Sequence, residues 1–451
     1  MTARAPVGGI PRSTMAVLML SVFTVSLGFG IVLPSLPFSI ERLLGAGGDA
    51  AQVSRATGLL TGLYMLSLFL FASLWGWLSD RVGRRPILLI GLLGFSATSL
   101  TFAFVENLPA IYAERFLSGL FAAAVTPVAL AAIGDLAVTE AVRARRLTIV
   151  SLAGIIGFLL GPMLGVFIAR SISTLFPGTG GLGPLVIPLA GTAALALVVA
   201  IAVMLTIHGR IASDSGTSRA QPDPRAAKWL VARLLSLAFI VSAGIGVFEV
   251  GLALRGKQDL GLSPYQIATM FTECSLVMVV VQAIVFSSWI KPETTRWFIL
   301  PAFVILGAAL FLVPHASDFK LMLLAIGAVA ASAGILSPIL TYWISSKAGK
   351  AQGAELGKQS AAASLGAAFG SAAGGLLFNV AWLPNAPFVL VTGLSLVAVL
   401  LSFSLPGKLA IRKPAAGIGD NPDVRLSTVP MPMARSRLHR PRGGQPKPLL
   451  L

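Results

Sequence analysis

Apolar stretches long enough to cross a membrane recur along most of this chain. The 451 residues are 56% hydrophobic and only 11% charged, and the mean hydropathy is +0.87. A soluble fold with so few charges could not cover its apolar surface, whereas helices in a bilayer satisfy their backbone hydrogen bonds internally. The composition therefore predicts an all-α integral membrane protein and excludes a soluble globular fold.

A membrane-spanning helix needs roughly 20 predominantly apolar residues. Twelve segments of the sequence meet this requirement, which predicts twelve transmembrane helices. The predicted spans are residues 14–40, 55–78, 86–105, 108–134, 147–170, 185–207, 229–254, 263–289, 296–314, 318–345, 354–381 and 386–406.

Two polar segments divide the chain into regions. Residues 208–228 contain two prolines, and we predict a cytoplasmic linker there between two six-helix bundles, residues 1–207 and 229–406. Residues 407–451 are rich in Pro, Arg and Gly, which predicts a disordered basic cytoplasmic tail. This tail is either simply solvated or bound to anionic lipid head groups.

The formal net charge of +17 comes largely from basic residues in alternate loops and in the tail. Cytoplasmic loops carry an excess of Lys and Arg, so this distribution predicts a bacterial cytoplasmic membrane protein with both termini inside the cell. The basic residues do not alternate with aromatic residues, as a nucleic-acid-binding surface requires. One cysteine and three histidines are too few for a disulfide framework or a His–Cys metal cluster. We therefore expect no nucleic acid partner, no metal and no cofactor.

Three features recur in the two halves at the nearly constant offsets of 211, 209 and 212 residues. Such weak internal symmetry is expected of a transporter built from parallel repeats. The matching features are Thr126-Pro127 and Ser337-Pro338 in the fourth and tenth spans, the glycines 157, 161, 165 and 366, 370, 374 in the fifth and eleventh, and Trp77 and Trp289.

A dense cluster of charge lies between the second and third predicted spans. Isolated charges at a membrane boundary are costly, so a compact cluster must be held there by structure or function. Gly83 allows a positive φ in a tight turn, Asp80 can pair with a nearby arginine, and Gly76 is expected to let two helix ends approach. The cluster contains Gly76, Asp80, Arg81, Gly83, Arg84 and Arg85.

The spacing of these residues, G-x-L-x-D-R-x-G-R-R, resembles the loop between the second and third helices of transporters of the major facilitator superfamily. The resemblance implies the fold of that superfamily over residues 14–406, with two bundles that rock about a central site. It also implies that the cluster is a conformational latch in which Asp80 braces the two halves in the outward-facing state. The alternative is a positive-inside loop with a local ion pair.

The fourth span contains Arg115 followed four residues later by Gly119, which resembles the second motif of the superfamily. A buried guanidinium needs a partner, and the resemblance implies a role for Arg115 in proton coupling. Glu114 is adjacent in sequence but about 100° away around the helix, so we expect it to be a poor partner. Snorkelling of Arg115 to the outer interface is the alternative.

The glycines of the fifth span, Gly157, Gly161 and Gly165, recur every four residues and form one smooth stripe. Close helix packing explains such a stripe without any function, and Pro162 predicts a bend. The pattern G-x-x-x-G-P-x-x-G resembles the antiporter motif of the drug-exporting branches of the superfamily, although Val166 replaces its usual last glycine. The resemblance favours export over import.

Two acids lie inside predicted spans, Glu249 in the seventh and Glu273 in the eighth. Ionisable groups within a membrane are candidate functional sites, and desolvation favours the protonated carboxyl form that a proton carrier needs. The pair Phe248-Glu249 resembles one found in bacterial drug exporters. A position at the outer interface is the alternative for Glu249, which lies about five residues from the predicted end of its span.

The remaining candidates are aromatic side chains that could line a central cavity, pack between helices or face lipid. The chain has no nucleotide-binding glycine loop, so an ion gradient is the expected energy source, and carboxylates favour protons. The cavity candidates are Phe29, Tyr64, Phe271 and Tyr342.

Taken together, the motifs predict a monomeric secondary transporter that exports small, largely hydrophobic molecules in exchange for protons. A proton-coupled importer of a sugar, organic acid or siderophore is the first alternative, and a non-transporting membrane protein on the same scaffold is the second. We do not expect an enzyme, because the spans contain no nucleophile–base pair or metal constellation.

Overall fold

The computed structural model describes residues 11–45, 48–105, 107–136, 140–175, 185–207, 225–285, 287, 290, 292–347 and 352–409. These residues are almost entirely helical. Two short 3-10 helices, Pro292–Trp297 and Val313–His315, lie before and after the α-helix Ile299–Leu312. The α-helices are α1 (Arg12–Leu44), α2 (Ala50–Val82), α3 (Arg84–Phe104), α4 (Leu108–Ala122), α5 (Thr126–Leu136), α6 (Glu140–Leu175), α7 (Val186–Thr206), α8 (Arg225–Gln258), α9 (Pro264–Val285), α10 (Ile299–Leu312), α11 (Phe319–Lys347), α12 (Gln352–Leu376), α13 (Ala386–Ser402) and α14 (Leu405–Lys408).

Eleven of the twelve predicted spans correspond to apolar helical segments within the described residues. Nine of these are long and apolar enough to cross a membrane, and Ile299–His315 and Ala386–Ser402 are shorter. The remaining predicted span, 354–381, corresponds to α12, which is helical despite its many Gly, Ala and Ser residues. The chain is therefore a multi-pass all-α membrane protein, as predicted. Residues 208–224 and 410–451, which include most of the predicted linker and tail, lie outside the described residues.

The fourth predicted span is confirmed as an apolar segment, Leu108–Ile133, but a turn interrupts its helix. The helix stops at Ala122 and restarts at Thr126, and the amides of Ala124 and Val125 donate to carbonyls three residues back, at 3.1 and 3.0 Å. Pro127 has no N–H to donate to the carbonyl four residues earlier, so a tighter turn replaces the α-helix there.

The proline at the matching position of the other half does not break its helix. Pro338 lies inside α11, which is continuous from Phe319 to Lys347. The break in the amino-terminal half packs closely on α3, because a methyl group added at Gly91 would lie 2.9 Å from the Ala124 Cβ atom. The sequence match between the two dipeptides therefore does not extend to their local conformation.

The two glycine stripes pack in equivalent ways, which confirms the internal repeat at this position. In the amino-terminal half (α1–α7), a methyl group added at Gly161 of α6 would lie 2.7 Å from the Leu27 carbonyl oxygen of α1. In the carboxyl-terminal half (α8–α14), Gly366 and Gly370 of α12 meet the backbone carbonyls of Phe239 and Ala243 of α8. Each stripe thus brings two backbones into direct contact in its own half.

The halves meet through α2 and α12 at the end of the bundle that is remote from the charged loop. A methyl group added at Gly58 would lie 2.5 Å from the Gly375 Cα atom, and one at Gly62 would lie 2.9 Å from the Ala368 carbonyl oxygen. Apart from Ser79, the buried residues of α2 all lie between Val53 and Ser67. The half of α2 that leads to the charged loop is therefore largely uncovered.

Candidate functional site

Arg84 is the centre of the charged loop. Its guanidinium forms ion pairs with Asp80 (2.6 Å) and with Asp135 at the end of α5 (2.8 Å). It also donates to the Ser79 hydroxyl at 2.5 Å, and the whole residue is buried. Gly83 ends α2 with φ = 108°, a conformation that side chains disfavour, so its predicted role in the turn is confirmed. The expected local pairing of Asp80 with an arginine is also observed.

The other residues of the loop take separate partners within the amino-terminal half. Arg81 stacks over the Trp77 ring at 3.9 Å, and Arg85 donates to the Met204 carbonyl oxygen at 2.7 Å. The expectation for Gly76 was wrong in this conformation, since a methyl group there would meet no atom within 4 Å. The contacts described for the loop tie α2, α3, α5 and α7 together and do not include α12.

Arg115 is paired with Glu114, and the expectation that these residues are poor partners was wrong. Arg115 Nε lies 2.7 Å from Glu114 Oε2, and Nη2 lies 3.0 Å from Oε1. The two Cβ atoms diverge around the helix, but the three methylenes of arginine let the guanidinium turn back toward its neighbour. Both residues are buried, at 4% and 2% exposure, where attraction between charges is much stronger than in water.

Aromatic rings surround this ion pair. The Arg115 guanidinium lies 4.3 Å from the Phe102 ring centroid and 5.9 Å from that of Tyr64. Tyr64 stacks on Phe29 at 5.1 Å, and Phe29 stacks on Phe158 of α6 at 5.8 Å. The cavity candidates Phe29 and Tyr64 thus belong to one aromatic stack that starts at the buried ion pair.

The other two aromatic candidates lie in the carboxyl-terminal half. Phe271 is 1% exposed and belongs to the core of that half, whereas Tyr342 is half-buried and packs edge-on against Trp343 at 5.3 Å.

The two intramembrane acids lie on consecutive helices of the carboxyl-terminal half. Glu249 of α8 and Glu273 of α9 both lie within electrostatic range of the buried Cys274. Glu273 Oε2 is buried and makes no hydrogen bond among the described residues. The two acids are 24 residues apart in sequence, so only the packing of α8 and α9 could bring Glu249 within electrostatic range of Cys274.

Glu249 lies deeper in its helix than the sequence suggested. The predicted span ended at residue 254, but α8 continues to Gln258, nine residues or about 13 Å beyond Glu249. The added residues include Arg255 and Lys257, so the apolar part of the helix still ends near residue 254 and the interfacial position stays an alternative for Glu249.

The antiporter-like helix α6 packs its glycine face on α1. A methyl group at Gly165 would lie 3.1 Å from Ile31, and one at Gly30 of α1 would lie 2.9 Å from the Phe158 carbonyl oxygen. That carbonyl is four residues before Pro162, which has no N–H to donate to it. Gly30 therefore leaves room where the helical hydrogen bond is missing, and α6 stays helical through Pro162.

The end remote from the charged loop carries polar contacts that cross between the halves, and the sequence analysis missed them. Lys257 of α8 pairs with Glu41 of α1 at 2.6 Å. Asn379, which follows α12, donates to the Ser54 hydroxyl of α2 at 3.2 Å, and Gln258 of α8 donates to the Ala50 carbonyl oxygen of α2 at 3.1 Å. These residues are ordinary loop-proximal polar residues in sequence, and no motif marks them. Among the described residues, no group of three or more His, Cys, Asp or Glu side chains could hold a metal ion.

The fold is a bundle of membrane-spanning helices in two halves, with charged groups buried inside it and polar contacts between the halves. This combination is typical of a membrane transporter. The family model described as Major Facilitator Superfamily matches residues 18–357 and 234–442. The chain therefore belongs to the Major Facilitator Superfamily.

Curated relatives and a solved structure resemble most of the chain. It is 27% identical over 400 residues to multidrug resistance protein 2 of Bacillus subtilis (strain 168), covering 86% of this chain and 95% of that protein. It is 26% identical over 388 residues to the quinolone resistance protein NorA of Staphylococcus aureus (strain COL), covering 85% and 94%. Its fold is similar to that of the D-xylose–proton symporter, with a TM-score of 0.70 at 15% identity over 87% of this chain and 97% of that one.

Proposed function

We propose that this protein is a secondary transporter that exports small, largely hydrophobic molecules in exchange for protons. Its membership of the superfamily and its similarity to proteins named for multidrug and quinolone resistance support this proposal. The observation that carries it is the pair of carboxyl groups, Glu249 and Glu273, inside the membrane-spanning part of one half. A transporter driven by protons needs ionisable groups within the membrane, and such groups are rare there unless they have a function.

In this mechanism the two halves alternate between two arrangements. The charged loop faces the cytoplasm, as do both termini, in accordance with the positive-inside rule. The contacts between α2 and α12 then close the outer end, and the uncovered half of α2 borders an inward-facing opening. Substrate and proton bind in turn, and each favours one arrangement over the other.

The named residues have distinct proposed roles. Glu249 or Glu273 carries the proton, and Arg115 tunes its release. The loop residues around Asp80 and Arg84 latch the inner face when it closes, and the protein works as a monomer. The glycine face of α6 keeps this helix tightly bound to α1 while the amino-terminal half moves as a unit.

A transport assay in everted membrane vesicles tests the proposal. Vesicles with an acidic interior are given a fluorescent quinolone or a lipophilic dye, and a pH-sensitive dye reports protons that leave in exchange. We expect proton release with the unmodified protein and little or none with Glu249→Gln or Glu273→Gln. The exposed Glu293→Gln is the matched control and should behave like the unmodified protein.

The assay also separates the alternatives. An importer would raise the substrate content of intact cells instead of lowering it, and a non-transporting protein would give no substrate-dependent pH change. Normal coupling in both Glu249→Gln and Glu273→Gln would show that these acids do not carry the proton.

A further inference from the structure

The ion pair between Glu114 and Arg115 has three features that a simple structural pair does not need. It is bidentate, at 2.7 and 3.0 Å, and both partners are almost completely buried. Both partners belong to α4, so the pair stays intact when the halves move. The guanidinium is also held between the rings of Phe102 on α3 and Tyr64 on α2.

A series of aromatic contacts leads from Arg115 across the amino-terminal half. Tyr64 stacks on Phe29 with an interplanar angle of 12°, and Phe29 stacks in turn on Phe158 of the glycine-rich helix α6. Phe29 also packs against the hydrophobic core of the carboxyl-terminal half. The stack therefore extends from the buried charge to the seam where the two halves meet.

We propose that Glu114 is a positioning residue for transport, which fixes the Arg115 guanidinium against Phe102 and Tyr64 and neutralises its charge in the apolar interior. This inference rests on the proposed function, because it assigns to Glu114 the control of the arginine that tunes proton release. The charged and titratable groups that face Glu114 are Arg115 on its own helix and Tyr64 on α2.

The consequence of removing Glu114 follows from electrostatics. In Glu114→Gln the Arg115 charge loses its counter-ion in the apolar interior, so the guanidinium is no longer fixed against Phe102 and Tyr64. We expect turnover to fall about tenfold or more, since one partner of a buried pair is lost, with little change in substrate affinity.

Three variants distinguish a positioning role of Glu114 from a purely stabilising one: Glu114→Gln, Glu114→Asp and the double variant Glu114→Gln with Arg115→Gln. Glu114→Asp keeps the charge and should retain most of the turnover and the original pH profile. The double variant Glu114→Gln with Arg115→Gln removes both charges; it should recover the melting temperature lost in Glu114→Gln but not the turnover. Turnover, KM, the pH profile and the melting temperature are measured for each in the vesicle assay and in detergent.

The outcomes are distinct. The inference would be overturned if Glu114→Gln lowered only the melting temperature and left turnover and pH profile unchanged, or if the double variant transported normally. An unmodified protein that moved no protons with any substrate would refute the proposed function and this inference with it. An active unmodified protein with unaffected variants would refute the inference alone.

Discussion

The two ends of the helical bundle use ion pairs for opposite purposes. At the charged loop, Arg84 binds Asp80 and Asp135, and all three belong to the amino-terminal half. At the remote end, Lys257 and Glu41 belong to different halves. Contacts within one half can persist while the halves move, whereas contacts between halves must break when that end opens.

Glycine shows the same difference. Gly161 brings α6 onto α1 within one half, but Gly58 and Gly375 bring α2 onto α12 across the seam. Glycine therefore supports permanent helix packing within one half and, in the proposed transport cycle, a contact between the halves that opens and closes. The comparison indicates that transport depends on how tightly the remote end closes.

The largest effect is expected from filling the glycine contact at the seam. Gly58→Leu places a side chain against the backbone of Gly375, and a helix backbone cannot move aside as a flexible side chain can. Overpacking costs about 1–3 kcal/mol, so the arrangement with a closed remote end should become about fivefold to a hundredfold rarer, at about 1.4 kcal/mol per factor of ten. Transport in vesicles should fall accordingly.

Gly191→Leu in α7 is the matched control, because a methyl group there meets no atom within 4 Å. It should transport normally. If Gly58→Leu, folded and monodisperse in detergent, transported at the unmodified rate, the contact between α2 and α12 would not be part of the cycle.

An intermediate effect is expected at the charged loop. Asp80→Asn removes one of the two carboxylates on Arg84 but leaves Asp135 in place. If the loop latches the closed inner face, turnover should fall by about threefold to tenfold with substrate affinity largely intact. A large loss of affinity at unchanged turnover would contradict the latch.

The smallest effect is expected at the ion pair across the remote end. The Glu41 side chain is 58% exposed, and exposed ion pairs contribute less than about 1 kcal/mol. Glu41→Gln should change transport less than about fivefold, and the effect should shrink at high salt. The exchange Glu41→Lys with Lys257→Glu should restore the original rate. Failure of the exchange, with a normal folded yield, would indicate that the pair does not act through its charges.

Local patterns in the sequence predicted the parts of this molecule that depend on local physics. Apolar length and the charge of the loops predicted the spans, and the glycine spacing predicted two equivalent close contacts. The turn at Gly83 was predictable because only a residue without a side chain takes that φ readily.

The predictions that failed depend on neighbours that a linear pattern does not show. Helical geometry alone predicted that the Glu114 and Arg115 side chains point apart. Both charges are buried in apolar surroundings, however, where a charge without a partner is strongly unfavourable, so they pair. Thr126-Pro127 and Ser337-Pro338 look equivalent, yet one lies at a helix break packed on α3 and the other within a continuous helix.

The sequence by itself determined that this chain is a bundle of membrane helices in two related halves, since hydropathy, loop charge and glycine spacing act over short distances. Only the tertiary structure decided which charges meet, that Glu249 and Glu273 both lie within electrostatic range of Cys274, and which end of the bundle the two halves meet at. Those features depend on contacts between residues far apart in the chain. Their energies come from burial and packing, which no local segment contains.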